Sequence, residues 1–253
     1  MCQLFVFNLI IQTNTVMKYP IVTLFILLLT IAGFAQSKSD KKAPDSNNTG
    51  VINKNLPTVG IVVFNEVIMT EVTAPIDVFS KPTREWKKLF NVVTVAQTLD
   101  PITTESKLKI TPDFTFANCP KLDVLVVPSS FNMPALTSNA SMVSFIKTQD
   151  TNTNFNMSIC SGAQLMGEAG IADGKKVVTY IGGGKGLQKQ YPNLLVQNDS
   201  LISYVEDGKF LSSNGNLASY ISSLKLLEKL TSKEHRKFVE GWLYLNRLRD
   251  WKE

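Results

Sequence analysis

Short apolar runs alternate with helix-like segments from residue 56 onward, and this alternation constrains the fold more than any other feature. The strand-like runs are TVGIVVF, NVVTVAQ, LDVLVVPSS, NFNMSIC and KVVTYI, with an alternating, exposed-type strand pair in LKITPDFTF. The helix-like segments between them are APIDVFSKP, SNASMVSFIKTQ, the run after NFNMSIC, and GKGLQKQYP. The core ends with a polar hairpin from LLVQNDS to YVEDGKFLS and a helix over LASYISSLKLLEKL. Continuous apolar strands between helices are typical of strands buried on both faces. The pattern predicts an α/β fold with a doubly wound, mostly parallel sheet and helices on both faces.

The first 35 residues predict a leader that is separate from this fold. From Met17 the chain reads MKYPIVTLFILLLTIAGFA, with one lysine, an apolar run, and small residues at Gly33 and Ala35. This is typical of a secretory signal peptide cleaved after Ala35, with residues 1–16 as an extension upstream of the true start. The alternative is an uncleaved membrane anchor, for which the run is short. We expect export, to a bacterial periplasm, and no stable anchor after cleavage.

Two segments flank the predicted domain at residues 56–231. Residues 36–55 are polar, small and charged, which predicts a disordered linker. Residues 232–253 predict a C-terminal helix, because Phe238, Trp242 and Leu245 follow the spacing i, i+4, i+7. This apolar stripe fits either a helix packed on the body of the domain or a contact with a partner.

The charge distribution argues against a nucleic-acid partner. The net charge is +5, and removal of Lys18 with the leader leaves +4. The positive charges are spread over short stretches such as SKSDKK and EWKKLF, which is typical of solvent-exposed faces. No His, Cys and Asp cluster has metal-ligand spacing. The run Gly182–Lys185 lacks the spacing of a phosphate-binding loop and reads as a flexible helix entry. We expect a small-molecule ligand or substrate, and no metal, cofactor or nucleic acid.

Cys160 is the candidate reactive residue. It stands where the run NFNMSI ends and the helix-like SGAQLMGEAG begins. Helix N-termini favour a thiolate over a thiol, and ligands of parallel sheets bind at the carboxyl ends of the strands. The alternative is a small buried hydrophobic residue. Cys119 precedes one strand whereas Cys160 follows the next, which places them at opposite ends of adjacent strands, so we expect both to be unpaired.

Four ordered segments of the chain resemble the ThiJ/PfpI family of the class I glutamine-amidotransferase-like superfamily. They are VGIVVFNEVIMTEVTAPIDVF, FANCPKLDVLVVPSS, SICSGAQLMGEAGIADGKKVVTY and YVEDGKFLSSNGNLASYI, and together they extend over about residues 57–230. The chain is most similar to the subgroup that includes isonitrile hydratase and the ligand domains of some AraC-type regulators. The resemblance implies a flavodoxin-like sheet with a nucleophile-elbow cysteine, and commonly a homodimer. No helix-turn-helix segment follows, so a regulator is not supported.

The resemblance assigns roles to five positions. It implies that Cys160 is the elbow nucleophile and that Glu71 is the acid hydrogen-bonded to it. A carboxyl beside a thiolate helps only if it holds or shares a proton, so a raised pKa is expected for Glu71. The backbone N–H of Ser161 would bind developing negative charge, together with the loop at Ser129 and Ser130, where the family usually has two glycines.

The chain departs from the family beyond the elbow. Many relatives place a histidine after the next strand, where this chain has Thr179 and Tyr180; these two and Asn214 are candidate pocket residues. The single histidine, His235, lies outside the resemblance and is expected at the surface. Ile221 stands where some relatives carry an acid. No Cys–His–acid relay can be assembled, which argues against protease or amidase chemistry.

Two functions fit these observations. The first is an exported, cysteine-dependent hydratase, hydrolase or lyase acting on a small electrophile such as an isonitrile or a reactive aldehyde. Cys160 would attack the substrate and Glu71 would transfer the proton. The second is a non-catalytic module that binds a small ligand or senses oxidation through Cys160.

Overall fold

The fold is taken from a computed structural model, which describes residues 52–245 and 247. The predicted leader, residues 36–51 of the predicted linker and the last residues of the predicted C-terminal helix lie outside the described residues. The described residues contain the α/β domain.

A seven-stranded, mostly parallel sheet forms the centre of the domain, as the sequence pattern predicts. Its strand order is β10-β11-β7-β6-β1-β2-β5, and only the edge strand β10 runs antiparallel to its neighbour. The strands of this sheet are β1 (Thr58–Val62), β2 (Asn91–Ala96), β5 (Phe114–Thr115), β6 (Val124–Val127), β7 (Phe155–Ile159), β10 (Tyr204–Asp207) and β11 (Phe210–Ser213). Every residue of β1 and β6 is buried, which explains their uninterrupted apolar sequence.

Two small sheets differ from the sequence prediction. They are β3 (Ile102–Thr103) with β4 (Lys109–Ile110), antiparallel, and β8 (Lys176–Val177) with β9 (Leu195–Val196), parallel. The run LKITPDFTF is therefore not a strand pair: its two halves join different sheets. The predicted strand KVVTYI is reduced to two residues, and LLVQNDS pairs with that strand instead of forming the hairpin. The hairpin consists of β10 and β11 alone, because the two-residue turn between them suffices to reverse the chain.

Helices cover both faces of the large sheet. Along the chain they are α1 (Met69–Phe79), α2 (Met133–Thr137), α3 (Ala140–Asp150), α4 (Gly162–Glu168), α5 (Gly184–Gln190), α6 (Ala218–Leu230) and α7 (Lys233–Trp242). Helices α1, α6 and α7 pack in one group, and α2, α3 and α4 pack in another. None of the helices within residues 52–245 is long and apolar enough to cross a bilayer.

The sheet changes winding direction between β1 and β6. From β1 the chain crosses through α1 to β2 on one side, whereas from β6 it crosses through α3 to β7 on the other. Right-handed crossovers in opposite directions place their helices on opposite faces. Such a reversal opens a crevice at the carboxyl ends of the two strands, which is where ligands bind in open α/β sheets.

Helix α1 begins five residues earlier than the sequence predicts. The predicted helix opens with the run APIDVFSKP, at Ala74. In the structure the helix begins at Met69 and contains Pro75, and the Met69 N–H donates to the Glu105 carboxylate at 2.7 Å. A cap that comes from a distant loop leaves no local sequence signal. The earlier start places Glu71 in the first turn of α1.

The turn between β7 and α4 lies against the backbone of β6. A Cβ atom on Gly162 would be 2.1 Å from the Val127 carbonyl oxygen and 3.0 Å from the Pro128 carbonyl oxygen. Backbone atoms of a central strand cannot withdraw as a side chain can, so this turn requires glycine.

We expect the substitution Gly162→Ala to lower the free energy of unfolding by about 1–3 kcal/mol, since overpacking here displaces backbone. Urea denaturation of the purified mature protein measures the change. Gly186→Ala is the matched control: Gly186 lies inside α5 with open space around it, so alanine should stabilise the protein by about 0.5–1 kcal/mol. Equal stability of the Gly162→Ala variant and the wild type would contradict the proposed packing.

Candidate active site

The backbone at Cys160 has a conformation that is uncommon for residues other than glycine. Its φ angle is 56°, in the left-handed region, and it stands between the last residue of β7 and the start of α4. Its N–H donates to the Ser213 carbonyl at 2.8 Å and its carbonyl accepts from the Thr179 hydroxyl at 2.9 Å. These two hydrogen bonds hold the turn on β11 and on the segment after β8, so the strain is fixed by neighbouring elements.

Thr179 and Asn214 lie behind Cys160 and do not form the cavity wall that the sequence analysis assigned to them. Asn214 donates from Nδ2 to the Thr179 carbonyl at 2.6 Å and to the Asp199 carbonyl at 3.3 Å, and both Thr179 and Asn214 are buried. The Thr179 hydroxyl and the Asn214 amide N–H groups bind backbone carbonyls around the turn, and neither residue lines the cavity. Tyr180, in contrast, does line the cavity and is 43% exposed.

Glu71 is fully buried beside the Cys160 thiol, as the resemblance implies. Its Oε2 atom accepts from the backbone N–H of Ser129 at 2.7 Å, whereas its Oε1 atom is buried with no partner of good hydrogen-bond geometry. A Cβ atom on Gly215 would lie 2.6 Å from Oε1 and 3.2 Å from the Cys160 Sγ atom. Gly215, with φ +96°, therefore fits closely over both reacting groups, and no residue with a side chain would.

The pKa of Glu71 is raised from its ordinary value of 4.5 to about 7, as the sequence analysis predicts. Burial of the carboxylate is the main cause, and the negative charge of Glu105 adds to it. The hydrogen bond from the Ser129 N–H, together with the nearby Ser129 hydroxyl and Cys160 thiol, opposes the shift. Near pH 7 this carboxyl group both accepts and releases a proton readily, which suits a general acid–base group.

The prediction that the helix start makes Cys160 a thiolate is wrong for this structure. The pKa of the Cys160 thiol is raised from its ordinary value of 9.0 to about 11, mainly by burial and then by the negative charge of Glu71. The Ser129 hydroxyl and the N–H and hydroxyl groups of Ser161 lower it, but by less. Helix α4 has only two turns and its start is covered, so its dipole is too weak to outweigh desolvation and a neighbouring carboxylate.

The three serines named by the sequence analysis take different roles. The N–H of Ser129 is engaged by Glu71, so it is not a free donor for negative charge on a substrate. The N–H of Ser130 contacts only the Met133 sulfur, a weak acceptor, at 3.4 Å, and a ligand oxygen or nitrogen would displace that contact. Ser161 precedes α4 and lies next to the thiol. The Ser130 N–H is thus available as a backbone donor, whereas the Ser161 N–H lies on the thiol sulfur.

A cavity of about 570 Å³ opens in front of Cys160 at the carboxyl ends of β6 and β7. Its size suits a small molecule. Sequence reasoning missed seven residues of its wall, and four of them are polar or aromatic, namely Glu105, Phe131, Gln164 and Asn216. Phe131 is 87% exposed at the rim, and Asn216 has a left-handed backbone. These residues lie in loops or on α4, where no periodic pattern marks them; only the Asn-Gly-Asn run around Gly215 is a recognisable turn signal.

The remaining sequence candidates lie elsewhere. His235 lies in α7 near Phe238, outside the cavity wall; it is half-buried, and this burial lowers its pKa. Ile221 is 43% exposed on α6. The glycine run 182–184 leads into α5, and two of its glycines are tightly packed: a Cβ atom on Gly183 would meet the Tyr180 ring at 2.4 Å and one on Gly184 the Asp199 carboxylate at 2.6 Å, whereas Gly182 has open space around it. Among residues 52–245, no cluster of His, Cys, Asp and Glu has a geometry that could hold a metal ion.

The chain is similar to known proteins in sequence and in fold. The chain is 27% identical over 186 residues to the isonitrile hydratase of Pseudomonas putida, which covers 72% of this chain and 75% of the relative. Among solved structures, it is similar to a ThiJ/PfpI family protein from Pseudomonas syringae, with a TM-score of 0.68, 20% identity and 83% of both chains covered. It is also similar to an AraC family transcriptional regulator from Pseudomonas putida, with a TM-score of 0.62, 18% identity, and 74% of this chain and 99% of the other covered.

These structures share the fold of the α/β domain, and the sequence relative shares enough of its length to be a homologue. The model of the DJ-1/PfpI family matches residues 57–229, which is nearly the whole domain that contains β1, Glu71, Cys160 and Gly215. The resemblance to the ThiJ/PfpI family inferred from four sequence segments is thereby confirmed, and the chain belongs to the DJ-1/PfpI family.

Proposed function

We propose that this protein is a cysteine-dependent hydratase, or a related hydrolase or lyase, that acts on a small electrophile, and that an isonitrile is the first substrate to test. The observation that carries the proposal is the buried Glu71 carboxyl group, with a pKa near 7, beside the Cys160 thiol at the wall of a cavity. A buried carboxyl without a full set of hydrogen bonds destabilises a fold, so its presence supports a chemical role.

In the proposed reaction Glu71 acts first as a base. The Glu71 carboxylate takes the thiol proton while Sγ of Cys160 attacks the terminal carbon of the isonitrile, and the protonated Glu71 then delivers that proton to the same carbon. This gives a thioimidate, with a new S–C bond and a C–H bond. Water then adds to the carbon, the thiol leaves with its proton returned, and the product tautomerises to an N-substituted formamide. No histidine is required, because one carboxyl group transfers each proton.

The raised thiol pKa fits this order of events. A thiol that keeps its proton until a base removes it is protected from side reactions with other electrophiles and oxidants. Cys160 and Glu71 together release one proton more readily than either buried group alone. The N–H group of Ser130 would bind the substrate atom that gains negative charge during attack.

A non-catalytic module that binds a small ligand or senses oxidation is the competing hypothesis. The cavity would serve that function equally well. The raised pKa of Cys160 is unfavourable for a sensor, because the thiolate is the form that oxidants attack. An inactive protein in which mild peroxide adds two oxygens to Cys160, and none to Cys119, would support this alternative.

We expect the mature protein to hydrate simple alkyl isonitriles, and Cys160→Ala to abolish turnover. The rate kcat/KM should rise as pH increases through about 7, since Glu71 must lose its proton to act as the base. Glu71→Gln should lower kcat/KM by about 10²–10⁴-fold and remove this inflection. Formation of the formamide, followed by chromatography, measures both effects.

Cys119→Ala is the matched control for that experiment. Cys119 is the other free cysteine of the described chain, it is half-buried, and it does not line the cavity. Its substitution should leave turnover unchanged. Turnover that persists in Cys160→Ala would contradict the proposed mechanism.

A buried Glu71 should make the protein less stable as pH rises. The folded state keeps the Glu71 proton up to about pH 7, while the unfolded chain releases it near 4.5, so the stability present below pH 4.5 is lost between these values. The difference between the two pKa values corresponds to a loss of roughly 3 kcal/mol in the free energy of unfolding. Glu71→Gln should therefore be more stable than wild type by up to about 3 kcal/mol at pH 8 and similar in stability at pH 4.5, as measured by urea denaturation. A constant difference between the two pH values would show that Glu71 does not titrate as described.

We also propose export to the periplasm and a homodimeric mature protein, as the leader-like sequence and the family resemblance imply. Expression of the full chain in a Gram-negative host should yield a periplasmic protein that begins at Gln36, which N-terminal sequencing detects. A full-length product in the membrane fraction would favour the uncleaved anchor instead. Sedimentation of the mature protein tests the homodimer, and a monomer at micromolar concentration would contradict it.

A further inference from the structure

The cavity in front of Cys160 is acidic, although the chain as a whole carries a net charge of +5. Its charged wall residues are two glutamates, Glu71 and Glu105, and none of the described residues that line it is Lys, Arg or His. A negatively charged ligand would find no counter-charge there. The carboxylate that is not needed for proton transfer, Glu105, is therefore a candidate for a separate role.

Glu105 is held in place by three hydrogen bonds, two with the segment at the start of α1 and one from the neighbouring Ser106. Its Oε2 atom accepts from the Met69 N–H at 2.7 Å at the start of α1, its Oε1 atom accepts from the Ser106 hydroxyl at 2.7 Å, and its backbone N–H donates to the Val67 carbonyl at 3.2 Å. A carboxylate fixed in this way keeps its charge at a constant position relative to the cavity.

The charge of Glu105 reaches the reacting groups. The negative charge of Glu105 contributes to the raised pKa of Glu71. The Oε1 atom of Glu71 lies on the side of the Cys160 thiol. Any charged substrate that enters the cavity and approaches Cys160 lies in the same field. In a partly dehydrated cleft such a field is less screened than at an open surface.

We propose that Glu105 is a specificity-determining residue that admits neutral and cationic electrophiles to Cys160 and disfavours anionic ones. The proposal rests on the proposed function of Cys160 as the nucleophile, and it narrows the substrate class to small electrophiles without a carboxylate, sulfonate or phosphate group. A cationic group on the substrate would pair with Glu105, whereas an anionic group would lie against two carboxyl groups with no compensating charge.

The test uses three methanethiosulfonate reagents of similar size, with aminoethyl, hydroxyethyl and sulfonatoethyl groups that are cationic, neutral and anionic. The Cys160 sulfur attacks the sulfenyl sulfur, a disulfide forms, methanesulfinate leaves with the bonding pair, and the thiol proton goes to solvent. Rates of modification of Cys160 are followed by intact-mass spectrometry in a Cys119→Ser background. Rates for the charged reagents are divided by the rate for the neutral one, which cancels changes in thiol reactivity.

We expect the normalised cationic rate to exceed the anionic rate in the parent protein, and Glu105→Gln to reduce that ratio by about tenfold. Glutamine keeps an oxygen that accepts from the Met69 N–H, so α1 keeps its cap. Glu66→Gln is the matched control, because Glu66 is an exposed carboxylate outside the cavity wall and its loss changes the net charge equally. An unchanged ratio in Glu105→Gln, or an equal loss in Glu66→Gln, overturns the proposal.

Ionic strength provides a second measurement that requires no variant. The ratio in the parent protein should fall as salt is raised from about 0.01 M to 1 M, since the screening length shortens from about 30 Å to about 3 Å. A ratio near one at low salt overturns the proposal. Charge selection without isonitrile turnover would support the role of Glu105 and contradict the proposed reaction. Isonitrile turnover without charge selection would support the proposed reaction and contradict the role of Glu105.

Discussion

The contact between the Glu71 carboxyl group and its two neighbours, the Ser129 N–H and the Cys160 thiol, is the interaction on which the rest of the site depends. It joins α1, the loop after β6 and the turn after β7, three segments that are distant in sequence. A fully buried carboxyl group with one unpartnered oxygen destabilises the fold as pH rises, so the surrounding packing has to hold it there. The glycines at 162 and 215 allow the backbone to approach closely enough for that packing.

The sheet topology explains why these segments meet. Strands β1 and β6 are adjacent and parallel, and the chain leaves them in opposite directions, so the loop after β6 and the first turn of α1 face each other across the crevice. Strand β7 lies beside β6 and brings Cys160 to the same edge, and β11 beside β7 brings Gly215. Each of these parallel strands contributes one loop to the edge of the sheet where the cavity opens.

The sequence predicts the large sheet well because its strands are buried on both faces and read as unbroken apolar runs. It predicts the Cys160–Glu71 pair through resemblance, since the pair is separated by 89 positions and no local pattern connects them. The start of α1, the role of Glu105 and the place of Thr179 behind the turn depend on contacts between loops, which periodicity does not encode. The thiol pKa was predicted in the wrong direction because a helix start is visible in a sequence, whereas the burial that outweighs it is not.

The absence of a histidine from the matched positions has a consistent physical meaning in this structure. A histidine base would require its own desolvated hydrogen-bond partner, whereas Glu71 already has the Ser129 N–H as a fixed donor and a pKa near neutrality. A carboxyl group that exchanges one proton with a thiol suits an addition reaction, in which the same proton is taken from sulfur and given to carbon. Acyl transfer must also expel an amine leaving group, and a single carboxyl group without a relay is poorly suited to that step. This difference is the reason for proposing the addition of water across an electrophilic bond instead of the hydrolysis of an amide.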